Sequence, residues 1–201
     1  SSYSEYEIVI VDDASFDNSV SILENSHFEN LTILKNKKNY GQSYSLRKGV
    51  KSSKYNLIVT LDGDMQNNPY DIPKLLKIYE NEQIKLVGGI RSSRKDSLIK
   101  IISSYLANYI RNYILKDDCK DTGCSLKVFD RDIFLQFPYF DGLHRFLPAL
   151  FKGYGHKTSF IDVDHRKRYM GNSNYGTISR LFWGIRDIFK VLKILSSKNN
   201  E

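Results

Sequence analysis

Two carboxylates stand one residue apart in the stretch Val59-Thr60-Leu61-Asp62-Gly63-Asp64-Met65-Gln66-Asn67-Asn68-Pro69, directly after an apolar run. At that spacing both can face one hard divalent cation, Mg²⁺ or Mn²⁺, and offer it oxygen ligands. Gly63 permits the tight bend that brings them together. A cation held this way commonly bridges protein carboxylates and a substrate diphosphate. The competing reading is a turn and nothing more, because Asp and Gly after a strand are ordinary loop chemistry. A second acidic pair, Asp12-Asp13, ends another apolar run about 50 residues upstream, and that coincidence favours the metal. Asp12-Asp13-Ala14-Ser15 itself reads either as the N-cap region of a following helix or as hydrogen-bonding groups for a base and ribose.

Elements that could carry these residues follow from the apolar patterning. Glu7–Val11 and Leu57–Leu61 are short runs without alternation, as expected of strands covered on both faces. Between them the pattern predicts a helix over Asn18–Ser26, a strand at "LTILKN" and a helix over Ser43–Ser52. Pro69 and Asp71 open a further helix to about Glu82, and "KLVGGI" is the next strand. This alternation is that of an α/β protein. In such sheets ligands bind beyond the carboxyl ends of the strands, where Asp12, Asp13, Asp62 and Asp64 are expected to stand.

The 201 residues suffice for one substantial core, and 41% hydrophobic with 26% charged residues is ordinary for a globular chain. Cys119 and Cys124 have neither a second pair nor a nearby His to complete a zinc set, so they read as free thiols in a reducing compartment. No run of about 18 apolar residues is present, so no spanning segment and no signal peptide are expected. The net charge is +7, and Lys152 to Lys198 alone holds ten Lys/Arg against three Asp. A basic excess in one region favours phosphate groups, nucleic acid or an acidic membrane surface, and composition does not choose among them.

Two later segments have helical periodicity. Leu98, Ile101, Ile102, Tyr105, Leu106, Tyr109, Ile110, Tyr113 and Ile114 form one apolar stripe, with Lys100, Asn108, Arg111 and Asn112 off it. Ile178, Leu181, Phe182, Ile185, Ile188, Phe189 and Leu192 form another, among Arg180, Arg186, Lys190 and Lys193. Such helices either pack on the sheet or lie in a membrane interface.

The ordered series "IVIVDDASFDNS", "NYGQSYSLRKGV", "VTLDGDMQNNPYDIP", "GGIRSSRKDS", "DTGCSLKVFDRD", "HRFLPAL" and "HRKRYMGNSNYG" resembles family 2 glycosyltransferases. More closely, it is similar to the branch of dolichyl-phosphate mannose synthase and bacterial polyprenyl-phosphate glycosyltransferases, over about residues 6 to 190. The resemblance implies one GT-A domain over residues 1–201: a Rossmann-like, mixed, mostly parallel sheet flanked by helices, with amphipathic interfacial helices at about 97–116 and 177–195. It implies a nucleotide-sugar donor, a Mg²⁺ or Mn²⁺ cofactor, and inverting transfer to a polyprenyl phosphate. The setting would be peripheral, on the anionic cytoplasmic face of a membrane, without nucleic acid. A second copy or a membrane partner protein is compatible with it.

Carried over residue by residue, Asp12, Asp13 and Asp62 would contact the nucleotide, and Asp62, Asp64 and Gln66 would hold metal and diphosphate. Arg91, Arg94, Arg145, His165, Arg166 and Ser173 would face acceptor and phosphate groups. Asp121 would be the catalytic base, or else the group that orients a ligand or an arginine. His144 reads equally as a packing residue. Family members begin with a strand ending in a Pro-x-Tyr-Asn-Glu-like segment, whereas this sequence opens at what would be the second strand. Unpaired strand edges are therefore expected. Transfer to a soluble glycan and a non-catalytic remnant are the rival readings. Gln-x-x-Arg-Trp, the signature of processive polysaccharide synthases, is absent.

Overall fold

The computed structural model describes residues 5–81, 83–91, 108–166 and 177–198, with the side chains of 177–183 and 185 excepted. The chain divides into two compact units, one of residues 1–57 and 131–144 and the other of residues 58–130 and 145–201.

In the first unit, strand β1 (Ile8–Asp12) pairs in parallel with β2 (Leu31–Lys35), Asp12 lying opposite Lys35. Helix α1 (Ser19–Glu24) links them, and α2 (Gln42–Ser52) packs on β1. Gly49 of α2 approaches Val11 closely, where a Cβ would come to 3.1 Å of its Cγ2. Helix α5 (Arg131–Gln136) returns to this unit. Arg47 of α2 donates to the carbonyl of Phe137 at 2.7 Å, and Arg131 donates to the carbonyl of Val50 at 3.0 Å.

The second unit is built on a four-stranded sheet in the order β3-β5-β4-β6: β3 (Leu57–Thr60), β4 (Ile84–Arg91), β5 (Lys127–Asp130) and β6 (Lys157–Val163). β4 runs antiparallel to β5 and parallel to β6. Helix α3 (Ile72–Tyr79) covers β4 and β5, and α6 (Leu147–Gly153) covers β4 and β6. Leu75, Leu86, Val87, Leu126, Val128, Phe129, Leu150 and Phe151 form the core between them and are closed to solvent. Gly89 is required by this packing, because a Cβ there would meet Val163 at 2.7 Å and the Cys124 Sγ at 3.0 Å. Helix α4 is described over residues 108–115, and α7 is the long Thr177–Lys198 helix.

The apolar stripe expected to cover a core or a membrane is the outer face of α4. Tyr109, Ile110, Tyr113 and Ile114 are exposed, whereas Arg111 and Leu115 are buried. Residues 98–107 of that stripe lie outside the described residues. Both cysteines are free, as the sequence suggests, and both are buried. Burial pushes the Cys119 thiol up to about 11 and raises that of Cys124.

Candidate functional site

In the first unit, β1 ends on Asp12 and the chain turns sharply. Ala14 takes φ 62°, a left-handed conformation that costs a non-glycine residue roughly 1–2 kcal/mol. Asp12 closes this turn by accepting from the Ser15 N–H at 3.2 Å. Asp13 reaches the other way, to the loop between β2 and α2. Its Oδ1 accepts from Asn36 Nδ2 at 2.7 Å and from the Tyr40 N–H at 2.9 Å, and its Oδ2 accepts from the Gly41 N–H at 2.7 Å. Gly41 is the N-cap of α2 and has no side chain to cap with, so a carboxylate from elsewhere satisfies the helix start and suits its dipole. Burial would push the Asp13 carboxyl up, but hydrogen bonds from Tyr40, Asn36, Gly41 and Ser45 hold it below the ordinary value. Asn36, Tyr40 and Gly41 thus belong to the Asp13 corner. The glycine before "QSYSLRKGV" leaves a helix start without a cap of its own, but it does not say which distant group supplies one. His144, also of this unit, shares a 2.7 Å hydrogen bond between its Nδ1 and Ser43 Oγ.

In the second unit, β3 delivers Asp62-Gly63-Asp64 beyond its last residue, Thr60. Met65 adopts φ 62°, so this corner too has a left-handed residue just after its second carboxylate. The loop is anchored from the Asp121–Ser125 segment: Ser125 Oγ accepts from the Asp62 N–H at 3.2 Å and donates to Asn67 Oδ1 at 2.6 Å. Thr60 Oγ1 donates to the Ser125 carbonyl at 2.7 Å. Ser125 and the buried Asn67 were not singled out by sequence, because nothing in their spacing says that two distant loops meet. The Asp62 carboxyl opens to solvent on one side, yet the crowding of these loops desolvates it and pushes its pKa up. The charge of Asp64 pushes the same way, while Ser125, Lys127 and Arg91 oppose it.

Gln66 joins the segment that follows β6. Its carbonyl accepts from the Arg166 N–H at 2.8 Å, and its Nε2 lies 3.3 Å from both His165 Nε2 and the Arg166 carbonyl. Arg166 Nη2 donates to Asn68 Oδ1 at 2.7 Å. The buried Asp71 carboxylate accepts from the Asp164 N–H at 2.8 Å and fixes the approach. Sequence places Gln66, His165 and Arg166 a hundred residues apart; the fold brings them together.

Arg91, the last residue of β4, meets Asp121 end to end. Its Nε donates to Oδ2 at 2.7 Å, its Nη2 to Oδ1 at 2.8 Å and its backbone N–H to Oδ2 at 3.2 Å. Both Asp121 oxygens are engaged by the guanidinium in a bidentate pair, which is the geometry of a group that orients Arg91. Gly123 makes room for it: a Cβ there would lie 2.8 Å from Arg91 Nη2. Arg145 donates from Nη2 to Asp187 Oδ2 at 2.9 Å, which ties it to α7, where Lys190 holds the other oxygen at 3.1 Å. Arg94 and Ser173, also expected at this site, lie outside the described residues.

The second unit's loops fit a hard divalent cation in part. Asp62 and Asp64 form an acidic pair whose mutual repulsion a cation would relieve. Among the described residues no group of three or more His, Cys, Asp or Glu is placed to hold a metal. Mg²⁺-like ions are commonly bound through one or two carboxylates plus substrate phosphates and water, and this donor set suits such a half-open site.

Solved structures share this architecture. Glucosyl-3-phosphoglycerate synthase from Mycobacterium tuberculosis, crystallised with Mn²⁺, UDP-glucose and phosphoglyceric acid, superposes with a TM-score of 0.66 at 12% identity, over 92% of this chain and 66% of that one. The fold is therefore GT-A. The model of glycosyl transferase family 2 matches residues 1–137, and the chain belongs to that family. It is 35% identical to dodecaprenyl-phosphate galacturonate synthase of Rhizobium johnstonii, over 96% of this chain and 59% of the relative. To the undecaprenyl-phosphate 4-deoxy-4-formamido-L-arabinose transferase of Yersinia pestis it is 35% identical, over 85% of this chain and 53% of the relative. The chain thus spans between a half and two thirds of the length of these curated relatives.

Proposed function

We propose that the chain carries out metal-assisted, inverting transfer of a sugar from a nucleotide-sugar donor to a polyprenyl phosphate at the cytoplasmic membrane face. The observation that carries this reading is the Asp62–Asp64 pair at the end of β3, where crowded loops and a neighbouring like charge both disfavour the ionised Asp62 carboxylate. The Mn²⁺ and UDP-glucose present together in the M. tuberculosis neighbour and the polyprenyl-phosphate names of the relatives agree with it.

In the reaction, a phosphate oxygen of the acceptor bonds to the anomeric carbon as the bond from that carbon to the donor's diphosphate oxygen breaks. The acceptor's second pKa is about 6, so it arrives ionised and needs no strong base. That requirement suits an Asp121 already committed to Arg91. Asp62 and Asp64 would hold the Mg²⁺ or Mn²⁺, with Gln66 beside them; when bound, the ion stabilises the charge of the departing diphosphate. Arg91, with its fork fixed by Asp121, and Arg166, fixed by Asn68, supply positive charge between two anionic substrates. Asp12 and Asp13 keep the first unit's turn and the start of α2 in shape for the nucleoside. Arg145, His165, Arg94 and Ser173 complete the proposed acceptor and phosphate side.

A lipid acceptor is favoured by the outer face of α4. Tyr109, Ile110, Tyr113 and Ile114 are exposed there, with Lys116 and Lys152 beside the tyrosines in an open concavity. Tyrosines and lysines around an apolar strip suit the water–lipid boundary. Among the described residues no helix is long and apolar enough to cross a membrane.

The test is incubation with Mn²⁺, labelled UDP- and GDP-sugars, and polyprenyl phosphate in anionic vesicles. Lipid-linked label from one donor is the expected result. Label appearing only on soluble glycans overturns the acceptor; none on either overturns the reaction.

A further inference from the structure

Helix α4 exposes four apolar residues and buries an arginine. Arg111 is 4% exposed, and its partner Asp117 is fully buried. Buried ion pairs are a poor source of stability, since apolar replacements of the same volume often do as well. What an arginine provides that leucine cannot is a rigid fork with five donors. Here every arm of the fork points at the loop of residues 117–122. Nε donates to Asp117 Oδ2 at 2.8 Å and Nη2 to Oδ1 at 3.1 Å. Nη2 also donates to the Cys119 carbonyl, and Nη1 donates to Thr122 Oγ1 at 2.8 Å and to Asn108 Oδ1. Lys127, likewise buried, grips the next stretch through the carbonyls of Cys124 and, at 3.5 Å, Thr122. The loop needs such holding, because Lys116 and Asp118 both take left-handed conformations, at φ 50° and 57°.

The residue that this clasp delivers is Asp121. It is 3% exposed and lies between the two gripped positions, Cys119 and Thr122, with Gly123 next along the chain. We infer that Arg111 is a positioning residue: through Asp117, the Cys119 carbonyl and Thr122 it fixes Asp121, and Asp121 fixes the guanidinium of Arg91. Arg91 can take that place only because Gly123 has no side chain. Since Arg111 and Asn108 share a helix with the exposed Tyr109 and Tyr113, a displacement of α4 is also a displacement of this loop. What Arg91 does to a substrate rests on the transfer reading above; how Arg91 is held does not.

The experiment follows the Arg91 side-chain N–H by NMR in protein carrying isotope-labelled arginine, assigned with R91K. Transfer kinetics are measured on the same samples. In wild type the Arg91 Nε–H is protected from exchange by its 2.7 Å bond to Asp121. T122V removes one hydroxyl of the clasp and keeps the volume. R111K keeps the charge and loses the fork. Both are expected to unfold cooperatively while exchange at Arg91 Nε–H rises about tenfold or more. The acceptor KM rises and the donor KM holds, and T122S restores wild-type behaviour. Should R111K fail to fold, T122V against T122S decides. Unchanged Arg91 protection in folded T122V overturns the proposal. If wild type transfers no sugar, the functional reading falls, and the exchange comparison still decides how Arg91 is held.

Discussion

Two acidic corners of this molecule look alike and are electrostatic opposites. Each follows a short apolar strand, and each is followed by a non-glycine residue at φ 62°, Ala14 in one and Met65 in the other. At Asp13 the chain itself stabilises the ionised form, with Asn36 and two backbone N–H groups on its oxygens, so the carboxyl sits below its ordinary value. At Asp62 burial and the neighbouring Asp64 push the carboxyl up, and the ionised form would gain from a cation supplied from outside. The first corner is satisfied by its own backbone, whereas the second carries the charge that the proposed cation would neutralise. An acidic pair at a strand end does not by itself say which of the two it is.

The largest expected effect comes from breaking the second corner. D62N or D64N should lower the transfer rate by about a thousandfold or more, since several kcal/mol of leaving-group stabilisation go with the cation. The melting temperature should hold or rise, because a charge repelled within the native state has been removed. Initial-rate assays beside thermal melts read both. A variant that melts early would make Asp62 a structural residue like Asp13. Next in size is the response to metal. Saturating Mn²⁺, at about a hundred times its Kd, should stabilise wild type by about 2.7 kcal/mol and leave the D62N/D64N double variant unmoved. Equal stabilisation of both proteins would place the ion elsewhere.

Breaking the first corner should cost stability instead. D13A strands the N–H groups of Tyr40 and Gly41 and the amide of Asn36, at about 1.5–3 kcal/mol for hydrogen bonds to a charged group. For a chain of this size that is a fall in melting temperature of about 3–10 °C. Any loss of donor binding should then follow the loop between β2 and α2, visible as faster amide exchange in residues 36–41.

The two corners also measure what the sequence could disclose. Strands β1 to β4 and helices α1 to α3 were legible because continuous apolar runs and 3.6-residue stripes reflect local geometry. Asp62-Gly63-Asp64 was legible as a candidate because its chemistry lies within three residues. The partnership of Asp13 with Asn36, Tyr40 and Gly41 was not, nor that of Asp62 with Ser125, nor that of Gln66 with Arg166. Each depends on which loops the sheet order brings together, and no local pattern encodes that. Asp121 shows the same limit from the other side: the family resemblance offers either a base or a group that orients an arginine, and the bidentate contact with Arg91 favours the second. On α4 the described part of the stripe, Tyr109 to Ile114, shares one face as the periodicity predicts, but the periodicity is silent about its direction, since amphipathicity does not say which face meets the protein. There the polar face, through Arg111, turns inward.

The smallest effect is a matter of sign in the pH dependence of stability. Asp13 has its folded pKa lowered, so its contribution is fully present above the unfolded value of about 3.9 and is lost as pH falls through the lower folded value. Asp62 has its folded pKa raised. Its contribution is therefore fully present below about pH 3.9 and is lost as pH rises through the raised folded value. D13A should accordingly flatten the acid limb of the curve, where wild type weakens as the carboxyl protonates. D62N should gain on wild type as pH climbs above about 4, and Mn²⁺ should erase that gain, because a bound cation favours the ionised carboxylate. Urea midpoints for the three proteins between about pH 3 and 7 supply the test. If D62N tracks D13A in losing stability at the upper end, the opposition between the corners is wrong, and Asp62 is held by its own chain as Asp13 is.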